Sequence, residues 1–218
     1  MIINCNSVKN RKAELENMVD YLNPDVMILV ETKMDSSVNY SEFLRASYKG
    51  EITKDRFSHG GGVMIAYKDT LAVVEAEIPL VDAVMVWVKA ELDDNEVVYI
   101  GAYYRAPSDR TCDTLDDLHK VIGSLPKNSH MVLGGDFNAG DIRWDTNTVA
   151  PNSDRRGLCE WLLEVIDDHQ LEQRESAVLD LYCTNRPGLV KYRAILTTIW
   201  LLSTRVSDSG LLKTETSN

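Results

Sequence analysis

Apolar residues recur along the chain with two different periods, and the two periods together predict a mixed α/β fold. Spacing of apolar residues every three or four positions predicts helices over 11–22, 114–125 and 156–169. Asn23-Pro24 is expected to end the first helix, because proline disfavours helical backbone in the residue before it. Compact runs of apolar residues, rich in Val and Ile, predict strands at 1–6, 26–31, 63–67, 71–78, 83–92, 96–104, 130–135 and 178–183. Strands interspersed with helices in this way are typical of layered sheets covered by helices.

Turn and cap residues refine this outline at three places. Asp93-Asp94-Asn95 is expected to form a hairpin turn between two of the strands. Asp113 or Thr114 is available to cap the second helix. The apolar stretch 195–204 is compatible with either a strand or a buried helix, and the polar end of the chain is expected to fray.

Composition places the chain among globular proteins of one ordinary domain. It has 218 residues, 44% of them hydrophobic and 26% charged. No apolar run reaches the roughly 18 residues of a membrane span, and no basic segment precedes an apolar one at the N-terminus. The four cysteines are far apart and form no Cys-x-x-Cys pair, so we expect reduced thiols without disulfides. These features predict an intracellular protein, nuclear or cytoplasmic and not secreted, and they leave its oligomeric state open.

The net charge of −11 disfavours a protein that passively coats DNA, but it does not disfavour a Mg²⁺-dependent enzyme. A protein that coats nucleic acid by neutralising its phosphates is usually basic. An enzyme that holds Mg²⁺ with carboxylates and reaches a phosphate through the metal has no such requirement.

The most informative local sequence is Gly134-Gly135-Asp136-Phe137-Asn138, at the end of a buried strand. Strand alternation predicts that Asp136 and Asn138 point to the same side, into one cleft. A carboxylate there can bind a metal or accept a proton, and a carboxamide can hold a phosphate oxygen or orient a nucleophile. The alternative is an ordinary turn in which both are common turn residues.

Four further polar residues stand at strand ends or inside apolar strands: Asn4, Glu31, Tyr104 and Asp180. Each has an ordinary explanation, such as a solvated strand end or a half-buried aromatic. In layered α/β folds, however, sites form where strand ends converge. A cluster of Asn, Glu and Asp without Cys suits Mg²⁺ or Mn²⁺ and metal-assisted phosphodiester cleavage.

Several segments together resemble the endonuclease/exonuclease/phosphatase family, which includes DNase I, exonuclease III and apurinic/apyrimidinic endonucleases. The sequence is most similar to the endonuclease domain of non-LTR retrotransposons. The segments that carry the resemblance are INCNSVKNRKAELENMV, NPDVMILVETK, SHGGGVMIAYK, YYRAPS, GGDFNAGDIRW, DRRGLCEWLLEVIDDHQL and LDLYCTN. They cover the chain to about residue 190, so the resemblance implies a domain over 1–190 and a divergent C-terminal segment over 191–218.

The resemblance implies a DNase I-like four-layer αββα sandwich, incomplete at its C-terminus, that nicks a DNA substrate. The cofactor it implies is Mg²⁺ or Mn²⁺. Glu31 would be the principal metal ligand, and Asn4 would assist it, with Asn6 as the alternative in the Asn-x-Asn strand.

The same resemblance implies roles for four other residues. Tyr104 would contact the scissile phosphate, and Asp136 would position or deprotonate the attacking water. Asn138 would hold the phosphate, and Asp180 would support the metal and the catalytic residues.

Two departures from the family pattern concern the C-terminal third. The segment between 169 and 176 is shorter than in the family, and Ser207-Asp208-Ser209 stands where the family has Ser-Asp-His. We therefore expect a truncated copy, altered after about Lys191, whose activity is reduced or lost. The alternatives are a catalytically inactive retrotransposon remnant and a phosphatase acting on a small phosphoester.

Overall fold

The computed structural model describes residues 1–34, 39–54, 61–92, 96–173, 180–186, 188 and 195–196. Its helices of more than one turn are α1 (Lys12–Leu22), α2 (Asp113–Ser124) and α3 (Arg156–Asp168). Its strands are β1 (Ile2–Asn4), β2 (Val26–Val30), β3 (Tyr48–Lys54), β4 (Val63–Lys68), β5 (Ala72–Glu75), β6 (Val84–Glu91), β7 (Val97–Tyr104), β8 (His130–Asp136), β9 (Ile142–Arg143), β10 (Thr148–Val149), β11 (Glu172–Gln173), β12 (Asp180–Thr184) and β13 (Ile195–Leu196).

The strands form two large sheets and one short hairpin. The first sheet has the order β13-β1-β2-β4-β3, and the second has the order β11-β12-β8-β7-β6-β5. β1 runs parallel to β2 in the first sheet, and β7 runs parallel to β8 in the second. β9 and β10 pair only with each other, just after the end of β8. The order of the strands places β1, β2, β7 and β8 in the interior of their sheets.

Three apolar clusters show how the layers are stacked. Between the two sheets, Ile28 and Ile65 of the first pack with Val88 and Ile100 of the second. The outer face of the first sheet packs against α1, and the outer face of the second packs against α2 and α3. The protein is therefore a four-layer αββα sandwich, as the resemblance implied.

The predicted helices are confirmed to within one residue at each end. Asn23 ends α1 in the left-handed conformation, with a φ of 42°, which agrees with the stop expected at Asn23-Pro24. The expected cap of α2 is wrong, because Cys112 occupies the N-cap position and no side chain caps the helix. The Thr114 hydroxyl donates instead to Asp109 Oδ2 at 2.8 Å.

The strands differ from the prediction mainly at the edges of the sheets. β3 (Tyr48–Lys54) was not predicted, because its sequence YKGEITK has few apolar residues and a glycine in the middle. β5 is shorter than the predicted 71–78, and it too is an edge strand. The hairpin turn expected at 93–95, the strand residues 178–179 and the Ser207-Asp208-Ser209 string lie outside the described residues.

Two expectations about the whole chain can be compared with the described residues. All four cysteines carry free thiols, in agreement with the absence of disulfides expected from their spacing. Within the described ranges, no helix is long and apolar enough to cross a membrane.

Candidate active site

Three of the predicted site residues form a row across the end of the second sheet. Asp136 is the last residue of β8, and its partner in the parallel register is Tyr104, the last residue of β7. On the other side, Asp180 of β12 is the antiparallel partner of Asp136. The order of the strands thus brings Tyr104 and Asp180, which are 76 positions apart in the sequence, to either side of Asp136.

The first sheet contributes two more predicted residues to the same place. Asn4 ends β1, where its register partner is Val30, so Glu31 follows directly beside it. The Asn4 carboxamide donates from Nδ2 to Glu31 Oε1 at 3.0 Å and to Asp136 Oδ2 at 3.4 Å. Asn4, Glu31 and Asp136 therefore meet where the ends of three strands from the two sheets come together.

The Asp136 carboxyl lies in an unfavourable environment for a negative charge. Only 1% of the residue is exposed, and burial raises the pKa of Asp136 to about 6. The negative charge of Glu31 contributes to this rise, while the backbone N–H of Asn138, which donates to Asp136 Oδ1 at 3.0 Å, opposes it. Two carboxylates are thus held close together at a position where a cation would relieve their repulsion.

Lys33 supplies one positive charge at the edge of this cluster. Its ammonium lies 3.3 Å from Glu31 Oε2 and donates to Asn6 Oδ1 at 2.6 Å. Asn6 is exposed and takes no part in the contacts between Asn4, Glu31 and Asp136, although its N–H donates to Asn4 Oδ1 at 3.1 Å. Of the two N-terminal asparagines, Asn4 is thus the one that contacts both carboxylates.

Strained backbone is concentrated around the same residues. The described residues include nine non-glycine residues with positive φ, and five of them belong to the three turns that form the site. Such conformations cost about 1 kcal/mol or more for most residues and cluster at functional sites. These five residues are Asn6, Ser7, Glu31, Lys33 and Asn138.

Asn138 reaches the site by a different route from the one predicted. β8 ends at Asp136, and Asn138 has a φ of 48°, so strand alternation does not bring the two residues together. The chain turns back after Phe137, and the Asn138 side chain donates from Nδ2 to the carbonyl oxygen of Arg105 at 2.7 Å. Its N–H binds Asp136, so Asn138 is built into the site by its main chain as well as by its side chain.

Tyr104 is packed between the sheets, next to the glycine turn that precedes β4. Gly61 has a φ of 95°, and a Cβ there would lie 2.7 Å from Tyr104 Cε1. The carbonyl oxygen of Gly61 accepts from the N–H of Lys33 at 2.9 Å. Gly61 therefore connects Tyr104 with the turn that carries Glu31, and only a glycine fits between them.

No histidine of the described residues lies at the site. His130 begins β8, whereas Asp136 ends it. His119 and His169 contact each other between α2 and α3, with Nδ1 and Nε2 3.2 Å apart. His59 lies outside the described residues.

Two residues at the site were not singled out in the sequence. Lys33 belongs to the Glu-Thr-Lys string, and its positive charge next to an expected metal ligand could have been noticed. Arg105 is completely buried, and its guanidinium donates to the carbonyl oxygens of Phe137, Asn138 and Asp109. An arginine after a strand is usually exposed to solvent, so no pattern in the sequence indicated its burial.

Comparison with known families gives one match, which covers most of the chain. The model of the family described as "Endonuclease/Exonuclease/phosphatase family" matches residues 1–198. The chain belongs to the endonuclease/exonuclease/phosphatase family. Membership in this family supports a hydrolase acting on phosphoester bonds.

Solved structures of the same fold include several nucleases. An AP endonuclease from Archaeoglobus fulgidus is 17% identical, with a TM-score of 0.55, over 85% of this chain and 86% of that one. The catalytic domain of Xenopus laevis APE2 is 14% identical, with a TM-score of 0.60, over 85% and 81% of the two chains. The AP endonuclease LMAP from Leishmania major is 13% identical, with a TM-score of 0.58, over 84% and 77%. At these identities the similarity shows the fold. Among curated proteins, no significant sequence match was found.

The side chains at the site fit a hard divalent cation. Glu31 and Asp136 offer carboxylate oxygens as ligands, and Mg²⁺ commonly uses one or two carboxylates and retains several waters. Asn4 also carries a carboxamide oxygen, although it is the Asn4 Nδ2 that faces the two carboxylates in this structure. The described residues contain no group of three His, Cys, Asp or Glu side chains that could enclose a metal, so an all-protein cage is not formed there. Burial is the main cause of the raised pKa of Asp136, and the negative charge of Glu31 adds to it.

Proposed function

We propose that this protein is a Mg²⁺-dependent phosphodiesterase that nicks DNA, of the kind found in the endonuclease domains of non-LTR retrotransposons. The observation that supports this most strongly is the convergence of Asn4, Glu31 and Asp136 from three strands in two sheets. The family match supports the reaction class, and the sequence segments quoted above support the retrotransposon type. DNA inside the cell, nuclear or cytoplasmic, is the substrate we infer.

The residues at the site have separable roles in this reaction. Glu31 and Asn4 would hold the Mg²⁺ ion, which supplies charge stabilisation at the phosphate oxygens. Asp136, buried and hydrogen-bonded to the Asn138 amide, accepts a proton from the attacking water or holds that water in line. Tyr104, the register partner of Asp136, and Asn138, whose N–H donates to Asp136, would orient the phosphate. Asp180, opposite Asp136 in the register, would support these groups.

The histidine of the family's Ser-Asp-His motif has no counterpart in the sequence, so we expect a lower rate of nicking than in a protein that has it. The loss of one such charge-stabilising group typically costs on the order of 10²–10³ in rate. Lys33 is a cation in the described part of the site, but its ammonium is paired with Glu31 at 3.3 Å and donates to Asn6. We therefore expect slow nicking, with complete inactivity of a retrotransposon remnant as the opposing hypothesis.

A comparison of substrates tests the proposal. The full chain is incubated with supercoiled plasmid, with a 3′-phosphorylated duplex and with an inositol phosphate, each in Mg²⁺ and in EDTA. We expect Mg²⁺-dependent conversion of supercoiled plasmid to open circles. Release of inorganic phosphate from the small ester without nicking would identify a phosphatase, and no reaction by the folded chain would support the inactive remnant.

A further inference from the structure

Arg105 is the most deeply buried charged side chain next to the proposed site. It follows β7 directly, and none of its surface is exposed. Its Nε donates to the carbonyl oxygen of Phe137 at 2.8 Å, and its Nη2 donates to that of Asn138 at 2.7 Å. Nη1 donates to the carbonyl oxygen of Asp109 at 2.7 Å. Three sides of the guanidinium thus bind main-chain oxygens, two of them in the turn that follows Asp136.

The same turn binds back to the main chain of Arg105. The Asn138 carboxamide donates to the carbonyl oxygen of Arg105 at 2.7 Å, and the N–H of Arg105 donates to the carbonyl oxygen of Asp136 at 2.9 Å. The N–H of Asn138 then donates to Asp136 Oδ1 at 3.0 Å. These contacts form one continuous hydrogen-bonded network from the Arg105 guanidinium to the Asp136 carboxylate.

Packing alone does not account for a charged group in this position. Burying a guanidinium carries a desolvation cost, and an apolar side chain of similar volume often gives equal or higher stability. Burial lowers the pKa of Arg105, which reflects this cost. What the guanidinium provides, and an apolar side chain does not, is a fixed set of donors for the carbonyls of Phe137 and Asn138. Asn138 has a φ of 48°, a conformation that surrounding contacts must hold in place.

A second arginine supports the same carbonyl from the other side. Arg155, which precedes α3, donates from Nη1 to the Asn138 carbonyl oxygen at 2.8 Å. Its Nε lies 3.4 Å from Asp141 Oδ2, so its charge is partly neutralised by a carboxylate. Arg105 binds two carbonyl oxygens of the turn, whereas Arg155 binds one. Arg105 therefore makes the larger share of the side-chain hydrogen bonds that hold the turn.

We propose that Arg105 is a positioning residue of the phosphodiesterase reaction: its guanidinium fixes the turn 136–138, and so places the Asp136 carboxylate and the Asn138 side chain for catalysis. This inference rests on the proposed function. It assigns Arg105 no contact with the substrate.

Kinetics of Arg105→Lys and Arg105→Ala, with Arg110→Ala as the matched control, test the positioning role. Arg110 lies five positions along, with its side chain 62% exposed and paired with Asp154. Because a small displacement of a reacting group can cost on the order of 10² in rate, we expect kcat of Arg105→Lys to fall by about that factor while KM is unchanged. Added guanidinium should partly restore kcat of Arg105→Ala, and Arg110→Ala should behave as wild type. Wild-type kcat in folded Arg105→Lys would overturn the proposal.

Amide hydrogen exchange gives a second reading that does not depend on activity. In Arg105→Lys we expect the Asn138 amide to exchange faster than in wild type, while the amides of β6 keep their rates. Equal acceleration in β6 would indicate general destabilisation and would overturn the proposal, as would an unchanged rate at Asn138. If the wild-type chain cleaves no phosphoester, the proposed function fails, and this measurement still decides whether Arg105 holds the turn. If Arg105→Ala does not fold, Arg105→Lys, which keeps the charge, is sufficient.

Discussion

At the scale of single residues, the central feature is a buried carboxylate that the fold makes costly to ionise. Asp136 is buried, and the Asn4 carboxamide donates to both Asp136 and Glu31, so a second negative charge lies nearby. A pKa of about 6, raised from 3.8, means that the folded chain binds a proton more tightly than the unfolded chain does. Asp136 therefore lowers the stability of the metal-free protein as pH rises from about 4 to above 6.

Asp136→Asn is expected to stabilise the metal-free protein at neutral and alkaline pH. Since one pKa unit corresponds to about 1.4 kcal/mol, we expect a gain in the free energy of unfolding of about 1–3 kcal/mol at about pH 8 in EDTA. The gain should shrink towards about pH 4, where Asp136 is protonated in the folded state. Urea unfolding at both pH values measures it, with the exposed Asp69→Asn as control. Equal stability of Asp136→Asn and wild type at the higher pH would contradict this.

Some residues of this site could be predicted from the sequence, because they are polar residues at the ends of apolar runs. Asn4 and Asp136 end apolar strands, Glu31 directly follows one, and the structure brings these three together. The roles of these residues, and those of Tyr104, Asn138 and Asp180, remain predictions. Arg105 could not be found in this way, because its burial depends on carbonyl groups that lie 32 and 33 positions away.

At the scale of elements, β8 depends on two adjacent glycines for its position between the neighbouring strands and sheets. A Cβ at Gly134 would lie 2.5 Å from Ile2 Cδ1, in the opposite sheet. A Cβ at Gly135 would lie 1.9 Å from the carbonyl oxygen of Tyr103, in the adjacent strand β7, where no flexible side chain can move aside. The glycines thus allow the close approach that places Asp136 next to Tyr104 and near Asn4.

Gly135→Ala and Gly157→Ala should shift stability in opposite directions. Gly135 has a φ of 154°, and a Cβ there would overlap the Tyr103 carbonyl oxygen at 1.9 Å, so we expect the free energy of unfolding to fall by about 3 kcal/mol or more. Gly157 lies in α3 with nothing within 4 Å of its added Cβ. Alanine there should stabilise the helix by about 0.5–1 kcal/mol. Thermal and urea unfolding of both variants check this, and tolerance of alanine at 135 would contradict the packing described.

The contact between α2 and α3 should respond to acid through its histidine pair. Burial lowers the pKa of His169, and the neighbouring His119 lowers it further, so the folded chain binds this proton less readily than the unfolded chain. Stability that is fully present above the ordinary pKa of 6.5 is therefore lost as pH falls below it. His169→Asn should reduce that loss, and His130→Asn, at the start of β8, is the control. Unfolding curves at a series of pH values that are parallel for His169→Asn and wild type would contradict it.

Helices and central strands were predictable from apolar periodicity, whereas edge strands were not. α1, α2 and α3 lie on the outside and bury one face, which gives a clear helical pattern. β3 is an edge strand with a register shift between Lys49 and Ile52, and its pairing with β4 rather than its own pattern defines it. The cap of α2 was mispredicted because the helix already begins at Asp113, and the Thr114 hydroxyl donates to Asp109 in the preceding loop.

At the scale of the whole molecule, the proposed function depends on the stacking of two sheets whose strand ends meet. No period in the sequence specifies this stacking, and the sandwich followed from the family resemblance, which the family match over residues 1–198 confirms. The net charge of −11 fits a protein that reaches its substrate through a bound cation. The central claim is therefore that the strand ends around Asn4, Glu31 and Asp136 form a metal-dependent active site.

Nicking of supercoiled plasmid in Mg²⁺ by the wild-type chain, Glu31→Gln and Asp136→Asn tests this most directly. Glu91→Gln, at the end of β6, serves as the control, since Glu91 is exposed and its carboxylate lies 3.6 Å from the Lys89 ammonium. We predict slow wild-type nicking that EDTA stops, that Glu91→Gln retains and that both site variants reduce by about 10² or more. A folded wild-type chain that does not nick, or site variants that nick as fast as wild type, would contradict the account.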